Sequence, residues 1–293
     1  MNVLFYGSCN VSRLIEEVNS QASILVKAFE NYKVTSVLCQ ETELSQENFL
    51  NLIHQQDIII TVPISKEYRN KYYLSTDFIL KNKKLKTKVI IFVSLHSHFY
   101  YFDYGHIYED NVYIKDPHFL HFKTLFEFYK QDKTEKQFIE ECVYNTDFKS
   151  YEELDFFANK DIEELSRRQD LLIELKASNE NVHVIDVVTF IKNNYKNHQM
   201  FYSLNHPSNY LMYFVADEIV KEIGLQRNLI NKTVKVFDDK FLLYACQQKY
   251  FNFDIYERPA DFRTLSNNNN ITTLEEMISH FYNSYKQQKI KKY

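Results

Sequence analysis

The chain has 293 residues, enough for one large domain or two modest ones, and its 45% hydrophobic and 16% aromatic content can bury a substantial core. A formal net charge of -4 gives no global basic field, which argues against nucleic acid as a partner. Cys9, Cys39, Cys142 and Cys246 are widely spaced with no CxxC pair, so neither a zinc site nor a disulfide framework is indicated, and a cytoplasmic location is expected.

Taken in chain order, Val3–Tyr6 reads as a short buried strand ending at Gly7, and Asn10–Tyr32 shows apolar residues at helical spacing. Strands are expected at Lys33–Cys39, Asp57–Val62 (stopped by Pro63) and Lys88–Val93, with helices at Gln46–Gln55 and Tyr68–Lys83 between them. Strands that are apolar throughout and alternate with helices indicate a mainly parallel sheet covered on both faces, so the expected fold class is α/β, a three-layer sandwich. Residues 94–121 are loop-like, aromatic and rich in histidine, and residues 118–178 read as a helical insertion that includes Tyr151–Lys176. Val182–Ile185 returns to the sheet, followed by a helix at Val187–Tyr195. A long helix at Ser208–Ile223 has Pro207 near its start and Gly224 just past its end, both favourable positions. The expected organisation is one α/β domain over residues 1–225 and a C-terminal extension over 226–293. That extension holds the polar run Asn267–Asn270 and a terminal helix at Thr273–Gln287. The N-terminus does not read as a secretory signal, and no run reaches the roughly 20 apolar residues of a membrane span. The basic tail Lys286–Tyr293 is expected to be a solvated end, with contact to an anionic membrane as the lesser reading.

Three constellations could carry chemistry. Gly7-Ser8-Cys9-Asn10 lies at a strand-to-helix turn, where ligands gather in open parallel sheets. With only three glycines in the chain, one at this place points to a backbone angle or a close approach. Cys9 would serve as a nucleophile or a polar contact, with its thiol pKa lowered by a helix N-terminus, against the plainer alternative of a buried cysteine. Ser8 has its own plain reading as an N-cap. Phe201–Asn209 places His206 directly before Pro207, which biases it to an extended conformation, and a histidine so held is a candidate general base. His96, His98, His106, His118 and His121 form a histidine-rich stretch without a compact set of acids. Aromatic packing, then ligand contact, is favoured there over a metal, and no metal is expected. No GxGxxG or GxxxxGK[ST] motif occurs, which disfavours dinucleotide and P-loop nucleotide binding.

The motifs Gly7-Ser8-Cys9-Asn10 and Phe201-Tyr202-Ser203-Leu204-Asn205-His206-Pro207-Ser208-Asn209 resemble those of the WcbI family of polysaccharide-biosynthesis enzymes, over roughly residues 1–225. The resemblance implies a fold like that of SGNH (GDSL-like) hydrolases, binding of coenzyme A, and acetyl transfer from acetyl-CoA to a capsular or other surface glycan. Cys9 stands where SGNH enzymes have their serine. Ser203 stands where their final block has aspartate, and their Gly-x-Asn-Asp block is absent. The expected function is therefore a coenzyme A-dependent O-acetyltransferase acting on a polysaccharide or its sugar precursor. His206, Cys9 and Ser8 would be catalytic, with backbone N–H groups around Ser8–Asn10 holding the oxyanion. Gly7, Asn10, Arg13, His96, His98, Asn205 and Asn209 would be cofactor contacts, Arg13 through a phosphate. The expected partners are coenzyme A and a carbohydrate acceptor, with association with a glycan-assembly apparatus and homo-oligomerisation left open. The rival readings are an esterase or deacetylase of the same fold and a non-catalytic protein that binds coenzyme A or glycan.

Overall fold

A computed structural model of the chain describes residues 1–16, 23–40, 43–237, 240–254 and 270–292. The backbone divides into two compact units. The first comprises residues 1–96, 163–194 and 206–238, and the second residues 97–162, 195–205 and 239–293.

The first unit is built on a five-stranded sheet of β1 (Asn2–Gly7), β2 (Lys33–Leu38), β3 (Ile58–Thr61), β4 (Lys88–Phe92) and β9 (Val182–Ile185). The order is β2-β1-β3-β4-β9, and every neighbouring pair is parallel. The protein is thus an α/β protein with a parallel sheet. β1, β3 and β4 are buried almost throughout, as their continuous apolar runs require of central strands. Order reverses between β1 and β3, so the topological switch point, where such sheets bind ligands, lies at the end of β1. The helices α1 (Cys9–Ser12), α2 (Gln46–His54), α3 (Thr76–Asn82), α7 (Val187–Asn194) and α8 (Asn209–Ile223) belong to this unit. Ser208 caps α8, its hydroxyl accepting from Leu211 N, and Gly224 ends it at φ 81, the left-handed conformation that suits glycine.

Two expected helices are corrected. The run at Asn10–Tyr32 is helical only over Cys9–Ser12 and then continues as turns, with residues 17–22 outside the described set. Leu25 N donates to Leu14 O at 2.9 Å, so the chain doubles back. The apolar residues Leu14, Ile24, Leu25 and Phe29 are buried by a folded loop, not along one helix face. The run at Tyr68–Lys83 is two short 3-10 turns followed by α3. Arg69 (φ 53) and Asn70 (φ 55) are left-handed, which no helix tolerates, and Ser75 starts the true helix by accepting from Phe78 N.

The second unit holds the antiparallel pair β5 (Tyr104–Gly105) and β8 (His121–Phe122). It also holds the hairpin of β6 (Tyr108–Glu109) and β7 (Val112–Tyr113). Asp110 and Asn111 are both left-handed in that hairpin turn, as a tight two-residue connection demands. Its helices are α4 (Lys123–Lys130), α5 (Glu135–Phe138), α9 (Ala245–Phe251) and α10 (Leu274–Gln287), together with the first part of α6 (Tyr151–Ala177). Thr134–Gln137 and Thr273–Glu276 form capping boxes at the starts of α5 and α10. The core is aromatic. Tyr104 stacks on Phe241 with centroids 4.5 Å apart, and Phe122 meets Phe281 edge-on. Within it Asp103 is buried and fully engaged, accepting from Thr124 N (2.9 Å), Thr124 Oγ1 (2.6 Å) and Tyr244 OH. Of the polar run Asn267–Asn270, residues 267–269 lie outside the described residues, as does Tyr293 at the end of the basic tail.

Candidate functional site

β1 delivers Gly7 to the switch point, and the reason for glycine is space. A Cβ there would stand 2.9 Å from Val62 Cγ2, just past β3, and 3.0 Å from Val11 Cγ2, with φ at +156°. The floor of the turn is therefore packed hard against the end of β3. Val62 O accepts from Thr76 Oγ1 and Ile64 N donates to the same hydroxyl, which fixes that end in turn.

Ser8 precedes α1 in extended conformation, but its side chain does not cap the helix. Its Oγ is buried and has no hydrogen-bond partner among the described residues. A buried hydroxyl left in this state is costly in a purely structural turn and is a usual mark of a place where a ligand or water bonds. Cys9 follows, half-buried, with Sγ 4.0 Å from Asn10 Oδ1. Asn10 is 3% exposed and sends Nδ2 to Leu95 O at 3.2 Å. This bond ties the turn after β1 to the segment after β4 and brings the backbone beside His96 to the same edge of the sheet. Arg13 lies one turn on, its N–H donating to Cys9 O at 3.0 Å.

The expected lowering of the Cys9 thiol pKa is corrected. Burial pushes it up, and this outweighs a backbone hydrogen bond at Asn10 and the Arg13 guanidinium, which pull it down. With only four residues, α1 has little dipole to offer. Cys39, whose N–H donates to Gly7 O at 2.8 Å, lies at the same end of neighbouring β2. Burial raises its pKa as well, against a hydrogen bond with Tyr68. Sequence reasoning overlooked Cys39 as a neighbour of the turn. The signal was present in two adjacent strands that are each followed within two residues by a cysteine.

The remaining predicted residues divide between the units. His206 opens the segment leading into α8 and stacks its ring on Phe237, with centroids 4.4 Å apart and planes 11° apart. Asn209 Oδ1 accepts Val236 N–H at 2.9 Å, so this side chain anchors the segment that carries Phe237. Gly7, Ser8, Cys9, Asn10, Arg13, His96, His206 and Asn209 are all in the first unit. His98 and Asn205 are in the second. His98 is exposed and donates its backbone N–H to Asp161, whose carboxylate also accepts from Ser97 Oγ at 2.5 Å. Asn205 is exposed and accepts from Ser203 Oγ at 3.4 Å. The other histidines pack among aromatics. His106 contacts Tyr113, His118 contacts Phe119, and His121 lies between Phe281 and Tyr285. Among the described residues no three His, Cys, Asp or Glu side chains are grouped to hold a metal ion, and no helix is long and apolar enough to cross a membrane.

No curated protein matches the chain. A solved structure of WcbI, described as a novel polysaccharide biosynthesis enzyme in its native form without a disulfide bond between coenzyme A and one of its cysteines, superimposes with a TM-score of 0.67. The two are 16% identical, and the match covers 98% of this chain and 96% of that one, so they share a fold. The model of the family named polysaccharide biosynthesis enzyme WcbI matches residues 2–228. The chain with this strand-end turn belongs to the WcbI family of polysaccharide biosynthesis enzymes.

Proposed function

We propose that the protein is a coenzyme A-dependent acyltransferase that O-acetylates a capsular or other surface polysaccharide or its sugar precursor. The observation that carries this reading is the turn after β1. It has a glycine with no room for a Cβ, an orphaned buried Ser8 hydroxyl and a half-buried Cys9 thiol, all at the switch point. The WcbI structure of the same fold is described in relation to coenzyme A and a cysteine, which supports the same ligand here. The turn fits such a group, because Ser8 Oγ has a bond to give and Gly7 lets the turn pack closely against Val62 and Val11. Acetyl-CoA supplies the acyl group as a thioester. Arg13 would meet a phosphate, and Asn10, His96, His98, Asn205 and Asn209 would serve as further contacts.

In this reading His206 removes the proton from the attacking group, either the sugar hydroxyl or Cys9 Sγ. Cys9 stays protonated at neutral pH because burial raises its pKa, so it needs such a base to act as a nucleophile. N–H groups around Ser8–Asn10 would hold the developing oxyanion. The SGNH-like arrangement, the single domain over 1–225 and a cytoplasmic location belong to the same proposal.

The test is acetyl transfer from acetyl-CoA to a glycan acceptor by the purified protein, with Cys9→Ala and His206→Ala alongside. Loss of about 100-fold or more in the His206 variant is expected for a general base. Full activity in both variants would overturn the mechanism, and no heat of binding with coenzyme A would overturn the cofactor. One observation favours a non-catalytic binding protein instead. Ser203 stands where related hydrolases orient their histidine with an acid, and its hydroxyl is engaged with Asn205. That reading predicts ligand binding that survives both substitutions. An esterase would turn over an aryl acetate without coenzyme A.

A further inference from the structure

The second unit contains an open cavity of 280 Å³ at the start of α6, lined among others by Asp147, Lys149, Tyr151, Glu152, Lys249 and Tyr250. From its geometry we infer that this cavity is a binding site for a single uncharged sugar ring of a glycan.

Size gives the first argument. Pockets for drug-sized ligands run from about 300 to 1,000 Å³, so this one suits about one ring and is too small for a whole coenzyme or a nucleotide. The walls give the second. Tyr151 is 51% exposed, and its ring centroid is 5.5 Å from that of Tyr250 at 54°. Tyr250 is held in place, with its hydroxyl bonded to Asp155 and the Lys196 ammonium 5.1 Å above its ring. Lys196 in turn pairs with Asp155 at 3.1 Å. A fixed ring beside an exposed one gives a platform for the C–H face of a sugar.

Charge gives the third argument. Lys249 pairs with Asp147 at 3.3 Å, and Lys149 with Glu153 at 2.8 Å. Both cations are paired with acids and Glu152 adds a further carboxylate, so donors and acceptors stand side by side with no positive field. Sugar hydroxyls, which both donate and accept, suit that lining, and a phosphate or carboxylate does not. The start of α6 is also closed to an external anion. Ser150 N donates to Glu153 Oε2 (3.0 Å), and Glu153 N donates to Ser150 Oγ (3.2 Å). Nothing in this assignment depends on the chemistry of Cys9, and a glycan acceptor gives it a use under the proposed function.

The experiment is saturation-transfer difference NMR and calorimetric titration of the full chain with glucose, galactose, mannose, rhamnose and N-acetylglucosamine, and with inorganic phosphate and glucuronate as anionic probes. At least one uncharged sugar binds. Tyr151→Ala weakens it about tenfold, and Tyr151→Phe leaves it within about twofold. Lys249→Ala weakens it independently, and Cys9→Ala leaves it unchanged, so failure of the transfer reaction and failure of this site are separate results. Absence of binding by every uncharged sugar overturns the assignment. So does undiminished binding in both Tyr151→Ala and Lys249→Ala, or phosphate binding that displaces the sugar.

Discussion

The turn after β1 and the surroundings of Asp103 both bury polar atoms, and they treat them in opposite ways. Asp103 is a carboxyl whose pKa is raised by burial, yet three donors converge on it, from Thr124 N, Thr124 Oγ1 and Tyr244 OH. Ser8 Oγ is equally hidden and meets none among the described residues. A fold that can build the first arrangement does not leave the second through lack of donors. The contrast sets a polar centre that serves the core beside one with no partner among the described residues.

Substitutions can break this comparison. The largest effect is expected at Asp103→Ala, which strands the Tyr244 hydroxyl and both Thr124 donors. Chemical denaturation should show a loss of about 3–5 kcal/mol. A loss under about 1 kcal/mol would mean that the network is not structural. Gly7→Ala comes next, at about 2–4 kcal/mol, because Val62 and Val11 must move and the backbone is strained.

A pH titration tests the satisfied side without a substitution. His121 is fully buried, with Nε2 3.1 Å from Ile114 O and Nδ1 3.1 Å from the Tyr285 hydroxyl, an arrangement that a neutral ring satisfies. Burial lowers its pKa from 6.5 to about 4. The unfolded chain therefore takes up a proton before the folded one. Stability from this group is complete above pH 6.5 and is lost as pH falls towards 4, by about 3 kcal/mol. His121→Gln should flatten the denaturation midpoint over that range. The smallest effect sharpens the contrast most. Ser8→Ala should change stability by less than about 1 kcal/mol, or raise it, since it removes a hydroxyl with no bond to lose among the described residues, whereas Thr124→Val should cost about 1–2 kcal/mol.

Much of this was legible in the chain. All five strands of the parallel sheet fall within two residues of where the sequence places them; for β1, β3 and β4 the reason is that a central strand has few other ways to be apolar on both faces. α8 was framed by Pro207 and Gly224, residues whose backbone roles are narrow. Failures came where one pattern has two causes. Apolar spacing over 10–32 arises from a chain that doubles back at Leu14 and Leu25 as readily as from a helix. Arg69 and Asn70 took left-handed angles that their side chains do not announce. At the turn, the residue types were readable but the sign of the Cys9 shift was not, because it depends on burial against a short helix. The stacking of Phe237 on His206 had no local signal, since the two are 31 positions apart in sequence.

The Asn10 amide has a mechanical consequence. β1 and β4 are not neighbours, because β3 runs between them. The strands themselves are two inter-strand spacings apart, about 10 Å, so the turn after β1 and the segment after β4 must approach each other beyond the strand ends for Nδ2 to reach Leu95 O at 3.2 Å. The bond acts as a crossbar. The thiol-bearing turn and the strand-end segment before His96 are thereby tied at one point, by a bond worth about 1 kcal/mol.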